Sequence, residues 1–312
     1  MGKVAFLFPG QGSQKVGMGQ AVHDAEASAA DVFREADEAL GFSLSSLCFE
    51  GPEEELKLTR NTQPAVVTTS IALLRALGET PDVAAGHSLG EYSAHVAAGT
   101  FGFADAVRTV RGRGGFMQEA VPVGEGAMAA VMRAERAQVE GACAAAAEAT
   151  GQVCEAVNYN SPGQIVIAGH AAAVAHAVEQ LKAEKARAMG LPVSAPFHSS
   201  LMLPAEERLA PLLRALEVKD PAFPIYVNVD AAPVTTAAAS LEALERQVSR
   251  PVRWESSVRR MVEDGVTLFV EIGAGRVLTG LVGRITKDVK RVSVSGPDEI
   301  EAAREAIAEA RG

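Results

Sequence analysis

The first candidate for chemistry in this chain is a serine held between two glycines at the end of an apolar run, Gly86-His87-Ser88-Leu89-Gly90. The spacing fits G-x-S-x-G, the nucleophile elbow, a strained strand-to-helix turn that projects a serine hydroxyl from a sheet. Side chains in place of the glycines would collide with the strand and helix that meet there. The helix that follows aims its N-terminal N–H groups at the same point, where charge developing on an acyl oxygen would be stabilised. The alternative is a plain tight turn, and the rest of the chain decides between them.

A serine hydroxyl needs a base at neutral pH. Among six histidines, His87 adjoins Ser88 with its side chain directed away, and His95 lies seven residues further on, along the following helix. His170 and His176 fall in a separate part of the chain. His198, in the loop sequence SAPFHSSLM, is the suitable partner. An esterase of this architecture places an Asp or Glu between serine and histidine, yet no aspartate stands between Asp105 and His198. The expectation is a histidine oriented by a neutral carbonyl. Such a dyad stabilises its imidazolium less and suits a thiolate leaving group, which points to thioester chemistry.

Two glycine-rich stretches complete the set. PGQGSQKVGMG, residues 9–19, is not a dinucleotide fingerprint, because Lys15 stands where the third glycine is required. It is not a phosphate loop either, because Met18 replaces the lysine. What remains is a turn whose backbone N–H groups can approach a ligand, as an oxyanion hole needs. In RGRGGFMQEAVP, residues 111–122, Arg113 is either a surface charge or, buried near Ser88, a planar fork for a substrate carboxylate.

These residues must be positioned by alternating elements. Strands are predicted at 4–8, 83–86, 153–158, 164–168, 225–229 and 267–272, with helical patterns at 20–40, 63–78 and 91–99. Strands separated by helices imply an α/β fold with a mainly parallel sheet. Between 123 and 192 the rhythm becomes β-α-β-β-α-β, ending in a strand near 191–193, the pattern of a ferredoxin-like unit. The expected organisation is therefore a hydrolase-like core of residues 1–122 and 193–312, with a small ferredoxin-like subdomain inserted at 123–192.

The bulk composition limits the alternatives. With 312 residues, 48% hydrophobic and 22% charged, the chain is that of an ordinary globular protein able to bury roughly three quarters of its unfolded surface. Three cysteines without CxxC spacing argue against a disulfide framework or structural zinc and suit the cytoplasm. The N-terminal apolar run stops at Pro9, too short for a signal peptide, and no segment is long and apolar enough to span a membrane. A net charge of −10 excludes general nucleic-acid affinity. The one compact basic stretch, residues 283–291, reads as a solvated helix face. A monomer is expected.

The motifs GQGSQ, GHSLGEYSA, RGRGGFMQ, NYNSPGQIVIAG, PFHSSLM, QVSRPVRW and FVEIGAGRVLTGL occur in order across essentially the whole chain. Together they resemble the malonyl-CoA:acyl carrier protein transacylase family of bacterial type II fatty acid synthesis, and also the acyltransferase domains of polyketide synthases. The resemblance implies a ping-pong reaction in which Ser88 takes malonyl from malonyl-CoA and passes it to the phosphopantetheine thiol of holo-acyl carrier protein. It assigns His198 as general base and then acid, Gln247 as supplier of the orienting carbonyl, and the N–H groups of Gln11 and Leu89 as the oxyanion hole. Arg113 would hold the malonyl carboxylate, and His87, Asn158 and Asn160 would shape the pocket. Phe197, with Leu89, would fill space near the acyl α-carbon and favour malonyl over methylmalonyl. No metal and no permanently bound cofactor are implied; malonyl-CoA is a substrate. The acidic carrier protein would dock transiently on basic residues, with Arg284, Lys287, Lys182 and Arg187 as candidates. The competing readings are a trans-acting malonyl acyltransferase for a polyketide synthase, a serine esterase or thioesterase, and an idle carrier-protein binding module.

Overall fold

In strand β1 (Lys3–Phe8) every residue from Val4 onward is buried, which requires packing on both faces and is the signature of a parallel sheet covered by helices. The computed structural model describes residues 2–193 and 195–312. Met1 and Ser194, which fall within the stretches expected to form the core, lie outside the described residues. After β1, helices α1 (Gln20–Ala25), α2 (Ala27–Leu40), α3 (Leu44–Glu50), α4 (Glu53–Lys57) and α5 (Thr59–Leu77) lead to β2 (Val83–Gly86). Then come α6 (Gly90–Ala97) and α7 (Phe103–Glu119). A second unit follows as β3 (Gly126–Met132), α8 (Arg136–Thr150), β4 (Cys154–Ser161), β5 (Gln164–His170), α9 (Ala171–Ala183) and β6 (Arg187–Gly190). The chain returns through α10 (Leu203–Arg214), β7 (Ile225–Val227), β8 (Ala232–Val234), α11 (Ala237–Gln247) and α12 (Trp254–Glu263). It closes with β9 (Val266–Ile272), α13 (Val277–Ile285), β10 (Lys290–Val294) and α14 (Ile300–Arg311).

The larger sheet has the order β10-β9-β1-β2-β7-β8 and is parallel except for the β7–β8 hairpin. Alternate residues of β1 enter two cores. Val4, Phe6 and Phe8 join the cluster built with α5 and α14, while Ala5 and Leu7 join Trp254, Val258 and Leu281 on the opposite face. The smaller sheet is antiparallel with the order β4-β5-β3-β6, the strand order of a ferredoxin-like unit. One of its faces packs on α8 and α9 through Val131, Ile165 and Ile167. The other joins the main core through Met128, Val166 and Ala168. Edge strand β4 is stitched to the core by Tyr159 N–H to Val252 O at 2.9 Å and Val252 N–H to Val157 O at 2.8 Å.

Several expected boundaries shift. The 20–40 helix is two helices, broken where Glu26 turns extended at φ −129°, ψ 115°. The long helix begins at Thr59, four residues before its apolar run. The last strand of the insert ends at Gly190, before the expected 191–193. The stretch 283–291 is not one helix face: Arg284 closes α13, Lys287 lies in a loop, and Lys290 and Arg291 open β10.

Candidate active site

Three loops meet at the carboxyl ends of β1, β2 and β7, where an open parallel sheet places its ligands. The turn after β2 carries Ser88 at φ 50°, in the left-handed region that costs a non-glycine residue on the order of 1–3 kcal/mol. Both flanking glycines are required by contact. A Cβ at Gly86 would lie 1.8 Å from the Gly90 carbonyl carbon, and one at Gly90 would lie 2.0 Å from the Phe8 carbonyl oxygen. The turn after β1 leans on the elbow just as closely, since a Cβ at Gly10 would lie 2.4 Å from His87 O.

His198, in a second strained turn at φ 65°, reaches Ser88 with Nε2 2.7 Å from Oγ. Its Nδ1 lies 2.9 Å from the main-chain O of Gln247. A carbonyl only accepts, so Nδ1 carries the proton and Nε2 is left to accept from the serine hydroxyl. That carbonyl is available because Gln247 is the last residue of α11, where helix C=O groups lack intrahelical partners. The orienting group is thus a neutral carbonyl, as the missing acid implied. Burial, and then the positive charge of Arg113, pull the His198 pKa down to about 3, so the imidazole is neutral in the resting site.

Arg113 is 1% exposed. Its Nη2 donates to Ser88 Oγ at 3.2 Å and to Gln247 Oε1 at 3.0 Å, and its Nη1 donates to Gln63 Oε1 at 2.9 Å. All three acceptors are neutral, and Nε is buried with no partner among the described residues. A buried guanidinium held by neutral groups is an incomplete ion pair. Gln247 completes the ring by donating Nε2–H to Ser88 O at 3.0 Å.

The two expected oxyanion donors lie on either side of the elbow. Leu89 caps α6, directly after the nucleophile, and Gln11 sits in the turn that abuts His87. The Gln11 side chain donates to Thr59 Oγ1 at 3.4 Å. On the wall formed by the insert, Asn160 Oδ1 accepts from His87 Nε2 at 2.8 Å, and the His87 ring leans on Trp254 at 5.4 Å. Burial lowers the His87 pKa, so it acts as a neutral donor. Asn158 and Asn160 lie beside two breaks in the β4–β5 register, bulges that re-aim edge side chains. Asn158 makes no side-chain hydrogen bond with the other site residues among those described. Phe197 is buried against the main core next to His198.

The sequence reading missed three participants. Asn228, at the end of β7, accepts the Ser88 N–H at Oδ1 (2.6 Å), donates Nδ2–H to Gly86 O (2.7 Å), and gives its own N–H to Glu91 Oε2 (2.8 Å). It binds both sides of the elbow and occupies the one backbone donor of Ser88. Glu91 is fully buried, and that burial raises its pKa to about 7. Gln63 holds Arg113. The run of polar residues Thr59–Gln63 ahead of the apolar part of α5 was the available signal for Gln63; Asn228 had none, because strand order is not written in the sequence.

Of the four basic candidates, three share one side. Arg284 donates to Gln164 on β5. Lys287 lies three residues beyond Arg284, where its Nζ donates to Gly283 O. Gln164 and Arg187 both pair with Met132, which puts Arg187 roughly 10 Å along the same row. Lys182 is on α9, which covers the opposite face.

The chain is similar to known proteins along nearly its whole length. A family model for the acyl transferase domain matches residues 5–303. The chain is 50% identical over 313 residues to the malonyl CoA-acyl carrier protein transacylase of Bacillus subtilis, covering 99% of this chain and 98% of that protein. The crystal structure of an acyl carrier protein S-malonyltransferase from Vibrio cholerae superposes with a TM-score of 0.93 at 45% identity, covering 96% of this chain and 99% of that one. A structure of a type II polyketide synthase acyl carrier protein in complex with its malonyl-transacylase gives 0.95 at 43% identity, covering 97% and 99%.

Proposed function

This chain belongs to the acyl transferase domain family, and we propose that it moves malonyl from malonyl-CoA to the phosphopantetheine thiol of holo-acyl carrier protein. The observation that carries the reading is Arg113: a fully buried cation hydrogen-bonded to the nucleophile, its remaining partners neutral, waits for an anionic acyl group. As Ser88 Oγ attacks the thioester carbon, its proton passes to His198 Nε2. The C–S bond then breaks and the coenzyme A sulfur takes that proton, leaving malonyl-Ser88. The carrier thiol gives a proton to His198, attacks the ester, and Ser88 recovers the proton as it leaves. Gln247 holds the imidazole in the required tautomer. The N–H groups of Gln11 and Leu89 receive the oxyanion, each worth roughly 3–4 kcal/mol. His87, Asn158, Asn160 and Phe197 shape the pocket for malonyl. The carrier protein docks on Arg284, Lys287 and Arg187. Free, buried Cys48, Cys143 and Cys154 suit a cytoplasmic setting.

The complex with a polyketide carrier among the similar structures favours a second reading, the same transfer serving a polyketide carrier. Hydrolysis is disfavoured by a dyad without a carboxylate. Intact-protein mass spectrometry with malonyl-CoA tests the proposal. A malonyl adduct that moves to holo-acyl carrier protein and is lost in Ser88→Ala supports it; an adduct decaying to free malonate overturns it in favour of a hydrolase.

A further inference from the structure

The turn that carries His198 belongs to no strand or helix, so its shape must be held by contacts. His198 is the third residue of the turn Pro196–Ser199, at φ 65°, a position that favours glycine or asparagine. Inside the turn, Pro196 O accepts from Ser199 N–H at 3.3 Å and from Ser199 Oγ at 2.6 Å. A histidine in the left-handed region persists only where its surroundings over-determine it. Gln247 O supplies one outside contact, through the imidazole ring. A second comes from the inserted unit.

Ser200, two residues after His198, opens the short 3-10 turn Ser200–Met202 that leads into α10. An N–H at such a helical start has no intrahelical partner. Glu155 of β4 meets it with both oxygens: Ser200 N–H donates to Oε2 and Ser200 Oγ donates to Oε1, each at 2.8 Å. One carboxylate is thus given to a single residue through two charge-assisted bonds. The strand is irregular where this reach is made. Glu155 pairs with Ala168 and Asn158 with Val166, and both partners lie on the sheet face that joins the main core. Residues three apart fall on opposite faces of a regular strand. The register shift between Ala156 and Asn158 puts these two on one face.

We propose that Glu155 is a positioning residue, which fixes Ser200 and through it keeps His198 Nε2 within hydrogen-bond distance of Ser88 Oγ. The reacting groups all stand on the core, and the insert acts on the base by holding its turn. The kinetic arm of the test rests on the acyl-transfer reading above; labelling of the serine does not. Glu155→Ala should lower kcat for malonyl transfer about fivefold and leave KM for malonyl-CoA unchanged, the pattern of an interaction that counts in the transition state. Glu155→Gln keeps an acceptor for the Ser200 N–H and a partner for its hydroxyl, and should recover most of the rate. Ser200→Ala, which leaves the carboxylate in place, should cost about twofold alone and nothing further in the Glu155→Ala protein. Labelling of Ser88 by a fluorophosphonate, followed by intact-protein mass spectrometry, should slow about fivefold in Glu155→Ala while every chain is still labelled at completion. A full rate in Glu155→Ala, an equal loss in Glu155→Gln, a raised KM at unchanged kcat, or a smaller labelled fraction at unchanged labelling rate overturns the proposal. If the protein transfers no malonyl and labelling still slows in Glu155→Ala, the transfer reading fails and the positioning role stands.

Discussion

The two sheets hold their site residues in opposite ways. The parallel sheet presents Ser88 in a left-handed turn, and Asn228 ties that turn down with three hydrogen bonds from a neighbouring strand end. At about 1 kcal/mol net apiece, those bonds are of the size needed to offset the backbone strain. The antiparallel sheet presents Asn160 from a bulged edge strand, and a single hydrogen bond to His87 is its link to the elbow. The contrast is between a reacting group fixed to a covered sheet and a substrate wall set on an edge that tolerates local re-aiming. On the proposed function, the core carries the chemistry and the insert the fit.

That contrast makes a ranking that experiments can break. The largest effect belongs to the dyad. His198→Asn, which tolerates the left-handed backbone, should lower kcat for malonyl transfer by about 10,000-fold or more. Next, Arg113→Ala should cut kcat/KM for malonyl transfer by roughly 100- to 1,000-fold, consistent with losing a buried charge pair, while acetyl transfer is retained or rises. Unchanged malonyl transfer would remove the carboxylate role. Asn228→Ala should cost about 3 kcal/mol in urea unfolding, because it leaves the Ser88 N–H, Gly86 O and Glu91 short of partners. The same variant should lower kcat about tenfold. Asn160→Ala should change KM only a few-fold, worth about 1 kcal/mol. If Asn160→Ala proved as costly in kcat as Asn228→Ala, the division between core and insert would fail.

A separate test reads stability against pH. Burial holds His95 and His198 down to about 3 in the folded state, against about 6.5 unfolded. Between those values the unfolded chain binds more protons, so stability falls as pH falls. Glu91, raised to about 7, acts in reverse and loses stability as pH rises from about 4.5 to 7. The two oppose each other above pH 4.5; below it the histidines are joined by carboxylates held low by arginine partners, such as Glu140 and Asp230, which also lose stability as pH falls. Replacing the buried His95 with Gln should flatten the acid limb of a Tm-against-pH series; an unchanged slope would refute the assignment.

The legible parts of the molecule were those whose signal is local. Gly86, Ser88 and Gly90 announce a turn because the contacts demanding glycine lie within one strand-turn-helix unit and its neighbour. His198 followed from eliminating the other histidines, and its carbonyl partner from the absence of aspartate. Asn228 was illegible because its importance comes from β7 lying beside β2, a pairing across about 140 residues. Strand β10 was missed because Lys290 and Arg291 at its start read as part of a basic helix face, and β8 because its three residues include Pro233. The break at Glu26 escaped because no proline or glycine marks it. Lys182 and Arg187 are close in sequence yet divided by the sheet between them.

The guanidinium of Arg113 touches both ends of the dyad, Ser88 directly and His198 through Gln247. Its charge weakens the imidazole as a proton acceptor. On the proposed reading a carboxylate arriving on Arg113 would offset that charge, the lesser of the two causes that hold the histidine's pKa down; burial, the larger, would remain. An uncharged acyl group would leave the charge of Arg113 in place beside the dyad, so discrimination against acetyl is expected in kcat as well as in KM.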